Sequence, residues 1–179
     1  IESNLGEFML LLATGRYDIG LANDGDADRL GLVDEAGNYV DQLRCFALLV
    51  NYLLGQRELR GPVVKSVTTT NMANLLAKHY GVECYETPVG FKHIGPLMME
   101  KEALIGGEES GGISIRGHIP EGDGILMGLL LLEIMAQTHA PLHEIIADLQ
   151  ASFGPAHYGR IDARLVRQLP KREVVDRLS

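Results

Sequence analysis

The sequence predicts an α/β protein built around a three-layer α/β/α domain with a mixed, mostly parallel sheet. Three observations carry that prediction. From Asp41 to Gly154, segments with helical apolar spacing alternate with short β-branched runs. Of the 179 residues, 46% are hydrophobic and 22% charged, which is enough apolar material for a sizeable core. Glycines stand at several of the junctions, among them Gly15, Gly37, Gly55, Gly81 and Gly154.

Taken in order, Asn4 to Thr14 reads as a helix with Asn4 as N-cap and Leu5, Phe8, Met9 and Leu12 on one face. Asp18 to Ala22 is a short strand and Leu30 to Asp34 a second one. Glu35-Ala36-Gly37-Asn38 then turns the chain into Tyr39-Val40, a hairpin signal. Asp41 caps a helix carrying Leu43, Phe46, Leu49, Val50 and Leu53, and Gly55 stops it. Pro62 to Val67 is a strand. Thr70-Asn71 starts a helix with Met72, Leu75, Leu76 and His79 on one face, and Val82 to Glu86 is the next strand. Thr87 to Ile94 reads as a loop leading into a short helix through Met98 and Glu100. Ala103 to Gly106 and Ile113 to Ile115 are strands around a glycine-rich turn. Asp123 begins a helix to Ala136, Pro141 lies in the first turn of another that stops near Gly154, and His157 to Asp162 is extended.

Residues 1–40 are too few for a domain and read as the C-terminal end of a preceding α/β domain. Residues 41–155 form one complete α/β/α domain, and 156–179 a linker towards a further domain. The opening Ile1 and the charged final stretch read as a piece of a longer protein.

Charge narrows the function. With 24 acidic against 16 basic residues the net charge is -8, which argues against a nucleic-acid partner. Six basic residues against three acidic ones from Arg160 onward leave the rest more acidic still, so a bound phosphate must be held by local groups or a metal. The most apolar run, Ile125 to Met135, is too short to span a bilayer and contains Glu133, so no membrane partner is expected. No signal peptide is visible. Cys45 and Cys84 lack metal-ligand spacing and read as buried free thiols of a reducing, cytoplasmic compartment.

Asp24, Asp26 and Asp28 alternate with Gly25 and Ala27 directly after a strand. In an extended chain such side chains lie roughly 6.5–7 Å apart, so the backbone must curl to bring them to one cation. The small intervening residues permit that, and three carboxylates held together without a cation would repel strongly. A hard divalent ion, Mg²⁺ first among them, resolves the conflict. A solvated acidic turn is the plainer alternative. A calcium EF-hand is another, because Glu35 falls at the twelfth position from Asp24. Against it, Arg29 stands where that loop requires glycine, and Leu30 to Val33 reads as strand. A third is the Asp-x-Asp nucleophile pair of haloacid-dehalogenase-type phosphatases, which needs a Thr or Val soon after the pair that this chain lacks.

Gly106-Gly107-Glu108-Glu109-Ser110-Gly111-Gly112 offers four glycines for close backbone approach, with carboxylates and a hydroxyl between them. Those donors and acceptors suit a hydroxyl-rich ligand such as a sugar, and a plain hairpin turn fits equally well. No Gly-Lys-Ser/Thr closes the turn, which excludes a Walker A loop. Lys92 lies in a Pro/Gly-flanked loop, facing a phosphate or solvent. His93 is expected to pack against the domain, His118 reads equally well as a site residue or a surface one, and Asp123 is expected to cap.

These segments in this order resemble one family, the α-D-phosphohexomutases (phosphoglucomutase and phosphomannomutase). Asp24-Gly25-Asp26-Ala27-Asp28-Arg29 is similar to the family's metal loop at the end of its second domain. Thr87-Pro88-Val89-Gly90-Phe91-Lys92 is similar to a third-domain loop whose lysine faces the substrate phosphate. Gly107-Glu108-Glu109-Ser110-Gly111 is similar to the sugar-binding loop. Two positions depart from the pattern: Gly112 stands where many members have His, and Gly122 where a basic residue often precedes Asp-Gly.

The resemblance implies a fragment of an enzyme that moves a phosphoryl group between O1 and O6 of a hexose phosphate through a bisphosphate intermediate. It implies Mg²⁺ on Asp24, Asp26 and Asp28, Arg29 against the transferred phosphate, and Lys92 assisting the sugar hydroxyl. Glu108 and Ser110 would bind ring hydroxyls, with Glu109 the weaker candidate. The family's phosphorylated serine and fourth-domain phosphate loop have no counterpart here, so the fragment alone is expected to be inactive and to need the remaining domains of its parent. A non-catalytic metal- or sugar-binding module is the reading from another class.

Overall fold

The computed structural model describes residues 2–157, 159 and 170–178. A 3₁₀ turn at Glu2–Asn4 leads into α1 (Gly6–Leu12), followed by β1 (Ile19–Asn23), β2 (Leu30–Asp34) and β3 (Tyr39–Val40). These strands form an antiparallel sheet in the order β1-β2-β3, with Asn23 opposite Leu30. Then come α2 (Gln42–Asn51), β4 (Val63–Ser66), α3 (Met72–His79), β5 (Cys84–Thr87) and α4 (Phe91–Lys101). β6 (Ile105–Gly107), β7 (Ile113–Ile115), α5 (Gly124–Thr138), α6 (Leu142–Phe153) and α7 (Lys171–Leu178) complete the order.

The second sheet runs β5-β4-β6-β7, with β4 parallel to both β5 and β6 and only β7 antiparallel. Alternation along β4 sorts the core into two layers. Val63 points into the large cluster built from α2, α3, α5 and α6, which includes Phe46, Leu49, Leu76, Met127 and Leu149. Val64 points the other way, under α4, onto Phe91, Ile94, Met98 and Ala103. This is the three-layer α/β/α arrangement with a mixed, mostly parallel sheet that the sequence predicted. Leu30, Leu32 and Val40 of the first sheet belong to the large cluster, so both sheets share one core. Among the described residues, no single helix is long and apolar enough to cross a membrane.

Two caps form as the sequence indicates. Asp41 accepts from the Arg44 amide at 2.9 Å, and Asp123 accepts from the Leu126 amide at 2.8 Å. Other expectations need correction. The first helix is shorter than expected, because Asn4 sits in the 3₁₀ turn and Leu5 precedes α1 without a side-chain cap. Gly55 does not stop the helix after α2, since a π-helical turn, Tyr52–Gln56, runs through it. A Cβ at Gly55 would collide with the Tyr80 hydroxyl, so this glycine serves close packing. On α3 the buried face is Met72, Ala73, Leu76 and Ala77, while Leu75 is 49% exposed. The helix after β5 starts at Phe91, because Phe91, Ile94 and Met98 recur at helical spacing over β4 and Gly90, at φ +119°, turns the chain into them. The extended reading of His157 to Asp162 lies largely outside the described residues.

Candidate metal and sugar site

Strands β1 and β2 deliver the acidic loop. With Asn23 paired to Leu30, residues 24–29 must close the hairpin, and Ala27 does so in the left-handed region at φ +59°. The Ala27 amide donates to the Asp24 carbonyl at 3.2 Å. This is the curl that convergence requires: carboxylate oxygens of Asp24, Asp26 and Asp28 lie within 4.8 Å of one another. The donor set is oxygen only and strongly anionic, which fits a hard divalent cation. Asp24 and Asp26 are exposed and Asp28 is half-buried.

Arg29 lies across this group. Its Nε is 2.8 Å from Asp24 Oδ2 and 3.2 Å from Asp28 Oδ1, and its backbone amide donates to Asp24 Oδ1 at 3.3 Å. The hydrogen bond to Asp28 and the charge of Asp24 hold the guanidinium pKa above its usual value. Glu35 sits in the β2–β3 turn against His143 of α6, at the far end of β2 from the acidic loop. The EF-hand arrangement is therefore absent.

Backbone contacts fix the acidic loop from three sides. The Asn23 side-chain amide donates to the Arg29 carbonyl at 2.9 Å, and the Gly124 amide donates to the Ala27 carbonyl at 2.9 Å. Arg29 also forms an isolated antiparallel bridge with Gly112. Of the two glycines that depart from the family pattern, Gly122 gains a physical reason here. A Cβ on Gly122 would stand 2.6 Å from the Asp28 carbonyl and 3.0 Å from Gly112 Cα. A side chain at Gly122 would separate the two loops.

The glycine loop closes β6 to β7. The Glu108 amide donates to Gly112 and the Gly111 amide to Glu108, with Gly111 at φ +99°. Ser110 Oγ makes a short hydrogen bond to Glu108 Oε1. Glu108, Glu109, Ser110 and Arg29 line a cleft of about 1530 Å³ together with Tyr39, Asp41 and Thr68–Thr70. A hydroxyl and carboxylates facing an open cleft are chemistry for binding a polyol.

The structure therefore brings Asp24, Asp26, Asp28, Arg29, Glu108 and Ser110 together. Lys92 is not among the residues lining the cleft; it is exposed on the first turn of α4, and His93 beside it is also exposed rather than packed. Phe91 lies against Gly112, so α4 starts beside the glycine loop. His118 is not a bare surface residue: its Nε2 is 2.9 Å from Asp123 Oδ2, linking the segment after β7 to the cap of α5.

Sequence reasoning missed the Asn23 clamp, although Asn directly before Asp-Gly at a strand end was a readable sign. It also missed Lys65, a lysine in the apolar run Val63 to Val67. Lys65 is fully buried on β4 and pairs with Glu86 at 3.2 Å, which holds the Glu86 carboxyl below its usual range. Both cysteines are free, as expected. Burial pushes the Cys45 thiol far up and that of Cys84 to about 11.

A four-stranded mixed sheet of this order between helical layers, with an acidic hairpin loop bridged to a glycine-rich one, defines an α/β/α domain. The family model described as phosphoglucomutase/phosphomannomutase, alpha/beta/alpha domain III, matches residues 41–153, and the chain belongs to this family. A phosphoglucosamine mutase from Nitratidesulfovibrio vulgaris (strain DP4) is 39% identical over 136 residues, covering 75% of this chain and 30% of that relative. Another from Desulfovibrio desulfuricans is 35% identical over 159 residues, covering 88% of this chain and 34% of that one. The crystal structure of a protein assigned as a phosphomannomutase from Thermus thermophilus superposes with a TM-score of 0.81 at 37% identity, covering 86% of this chain and 35% of that one. The chain thus spans about a third of the length of the relatives it matches.

Proposed function

We propose that this chain supplies the metal loop and sugar loop of a phosphohexomutase that interconverts hexose 1-phosphate and hexose 6-phosphate through a bisphosphate intermediate. The observation that carries the reading is the Arg29–Gly112 bridge, which joins a cation-binding loop to a hydroxyl-binding one. Asp24, Asp26 and Asp28 would hold Mg²⁺, which when bound supplies Lewis-acid stabilisation of the transferred phosphoryl group. Glu108 accepts hydrogen bonds from ring hydroxyls, while Ser110, held by Glu108, donates or accepts at a neighbouring one. Arg29 offers its guanidinium to the phosphate from the wall of the same cleft. Lys92, beginning α4 beside the glycine loop, assists proton movement at the sugar hydroxyl.

Residues 41–155 act as the complete central domain, 1–40 as the end of the preceding one, and 156–179 as the lead into the next, in a cytoplasmic enzyme. The remaining parent domains contribute the phosphorylated serine, so this chain alone turns over no sugar phosphate. The test is a chimaera in which this chain replaces the matching third of the Desulfovibrio desulfuricans relative. The chimaera is expected to interconvert hexose phosphates, and to lose at least about 100-fold of that activity when Asp24, Asp26 and Asp28 all become Asn. A folded chimaera with no activity, or one indifferent to the three substitutions, contradicts the reading.

A further inference from the structure

Arg29 belongs to the acidic loop and bridges to Gly112 of the glycine loop, and its side chain already serves the acidic loop as a cation. Both oxygens of Asp24 are engaged by it, Oδ2 through the guanidinium Nε at 2.8 Å and Oδ1 through the backbone amide at 3.3 Å. Asp28 Oδ1 accepts from the same Nε at 3.2 Å. Asp26 makes neither contact and only adds charge nearby.

A divalent ion ligated by the three carboxylates draws on the same oxygens. An oxygen shared between the ion and the guanidinium would hold two cations within about 5 Å of each other, where they repel. The arginine side chain is 48% exposed and lines the cleft together with Glu108 and Ser110, so it has open space to move into. Its backbone is pinned by Gly112 and Asn23, which confines such movement to the side chain.

We propose that Arg29 is a displaceable counter-cation of the acidic loop: the guanidinium and the divalent ion compete for Asp24 and Asp28, and loading the loop swings Arg29 into the cleft, towards a sugar phosphate. This rests on the metal reading above and adds an ordering to it. The loaded loop frees the anion-binding group, whereas in the metal-free loop that group is masked by its own neighbours. Metal and phosphate then bind with positive coupling.

The test uses the 179-residue chain with Mn²⁺, following free ion by electron paramagnetic resonance in the wild type, Arg29→Gln and Arg29→Lys. Removing the competing charge in Arg29→Gln is expected to tighten Mn²⁺ binding about tenfold, while Arg29→Lys stays near the wild type. Equal or weaker binding by Arg29→Gln overturns the proposal and leaves the metal site standing; absence of binding in all three chains overturns both. A second readout needs no substitution. With Mg²⁺ the Arg29 Nε–Hε resonance of the wild type is expected to shift with the same midpoint as the amides of residues 24–28. Amide shifts without movement of that resonance overturn the proposal.

Discussion

The acidic loop closes β1–β2 with Asp24 and Asp26 exposed and Asp28 half-buried, whereas the glycine loop closes β6–β7 with buried Gly111 and Gly112. The glycine loop closes the antiparallel β6–β7 pair at one edge of the second sheet, whose strand β4 has apolar cover on both faces. The acidic loop grows from a three-stranded sheet whose inward residues, Leu30, Leu32 and Val40, borrow the same core. Carboxylates that repel one another cannot fix their own geometry. Asn23, Gly112, Gly122 and Gly124 fix it from outside, by hydrogen bonds and by the absence of side chains. Convergent charge is thus held by a neighbour's packing.

The strongest way to break this comparison is Leu32→Ala. Leu32 is fully buried in the shared core, so the substitution is expected to cost about 2–5 kcal/mol. In urea, far-UV circular dichroism and the amide signals of both loops should then be lost in one transition. Two separate transitions would show that the sheets stand independently.

A smaller effect tests the clamp. Gly122→Ala drives a methyl into the Asp28 carbonyl and is expected to cost about 1–3 kcal/mol, with the amides of residues 24–29 shifting more than those of β4 or β5. An unchanged midpoint and spectrum would mean that the loops do not depend on this contact. Asp123→Ala removes the α5 cap and the partner of His118, at about 1 kcal/mol in the same urea assay.

The mildest effect lies away from the site and has a defined pH sign. Lys65 lowers the pKa of Glu86 in the folded chain, so the pair's contribution is present above the ordinary carboxylate range. It is lost as pH falls through the depressed value, because the unfolded chain takes up the proton first. Glu86→Gln should therefore lower the melting temperature at pH 7 and converge on the wild type once pH has fallen below that depressed value. A constant difference across that range would contradict the assignment.

Much of this arrangement was legible locally. Aspartates alternating with Gly and Ala after a strand announced a curled acidic loop, and Asp41 and Asp123 announced the helices they cap. The glycine loop stood out because two short strands flank it. What stayed hidden depends on partners distant along the chain. Nothing near Gly122 or Gly124 says that a carbonyl from residues 27–29 will rest there, and nothing near Lys65 says that Glu86 will meet it. The early start of α4 was obscured because Pro88 and Gly90 made Thr87 to Ile94 read as loop. Phe91, Ile94 and Met98 carried the helical spacing, and burial over β4 prevailed over local propensity.

The central claim is that the three aspartates bind one divalent cation at a loop joined to the glycine loop. A Mg²⁺ titration followed by amide resonances tests it most directly. The account predicts that residues 24–29 and Gly112 shift with one common midpoint, and that the shifts vanish when Asp24, Asp26 and Asp28 become Asn. Shifts that survive in the triple variant, or a wild-type spectrum that Mg²⁺ leaves unmoved, would contradict it.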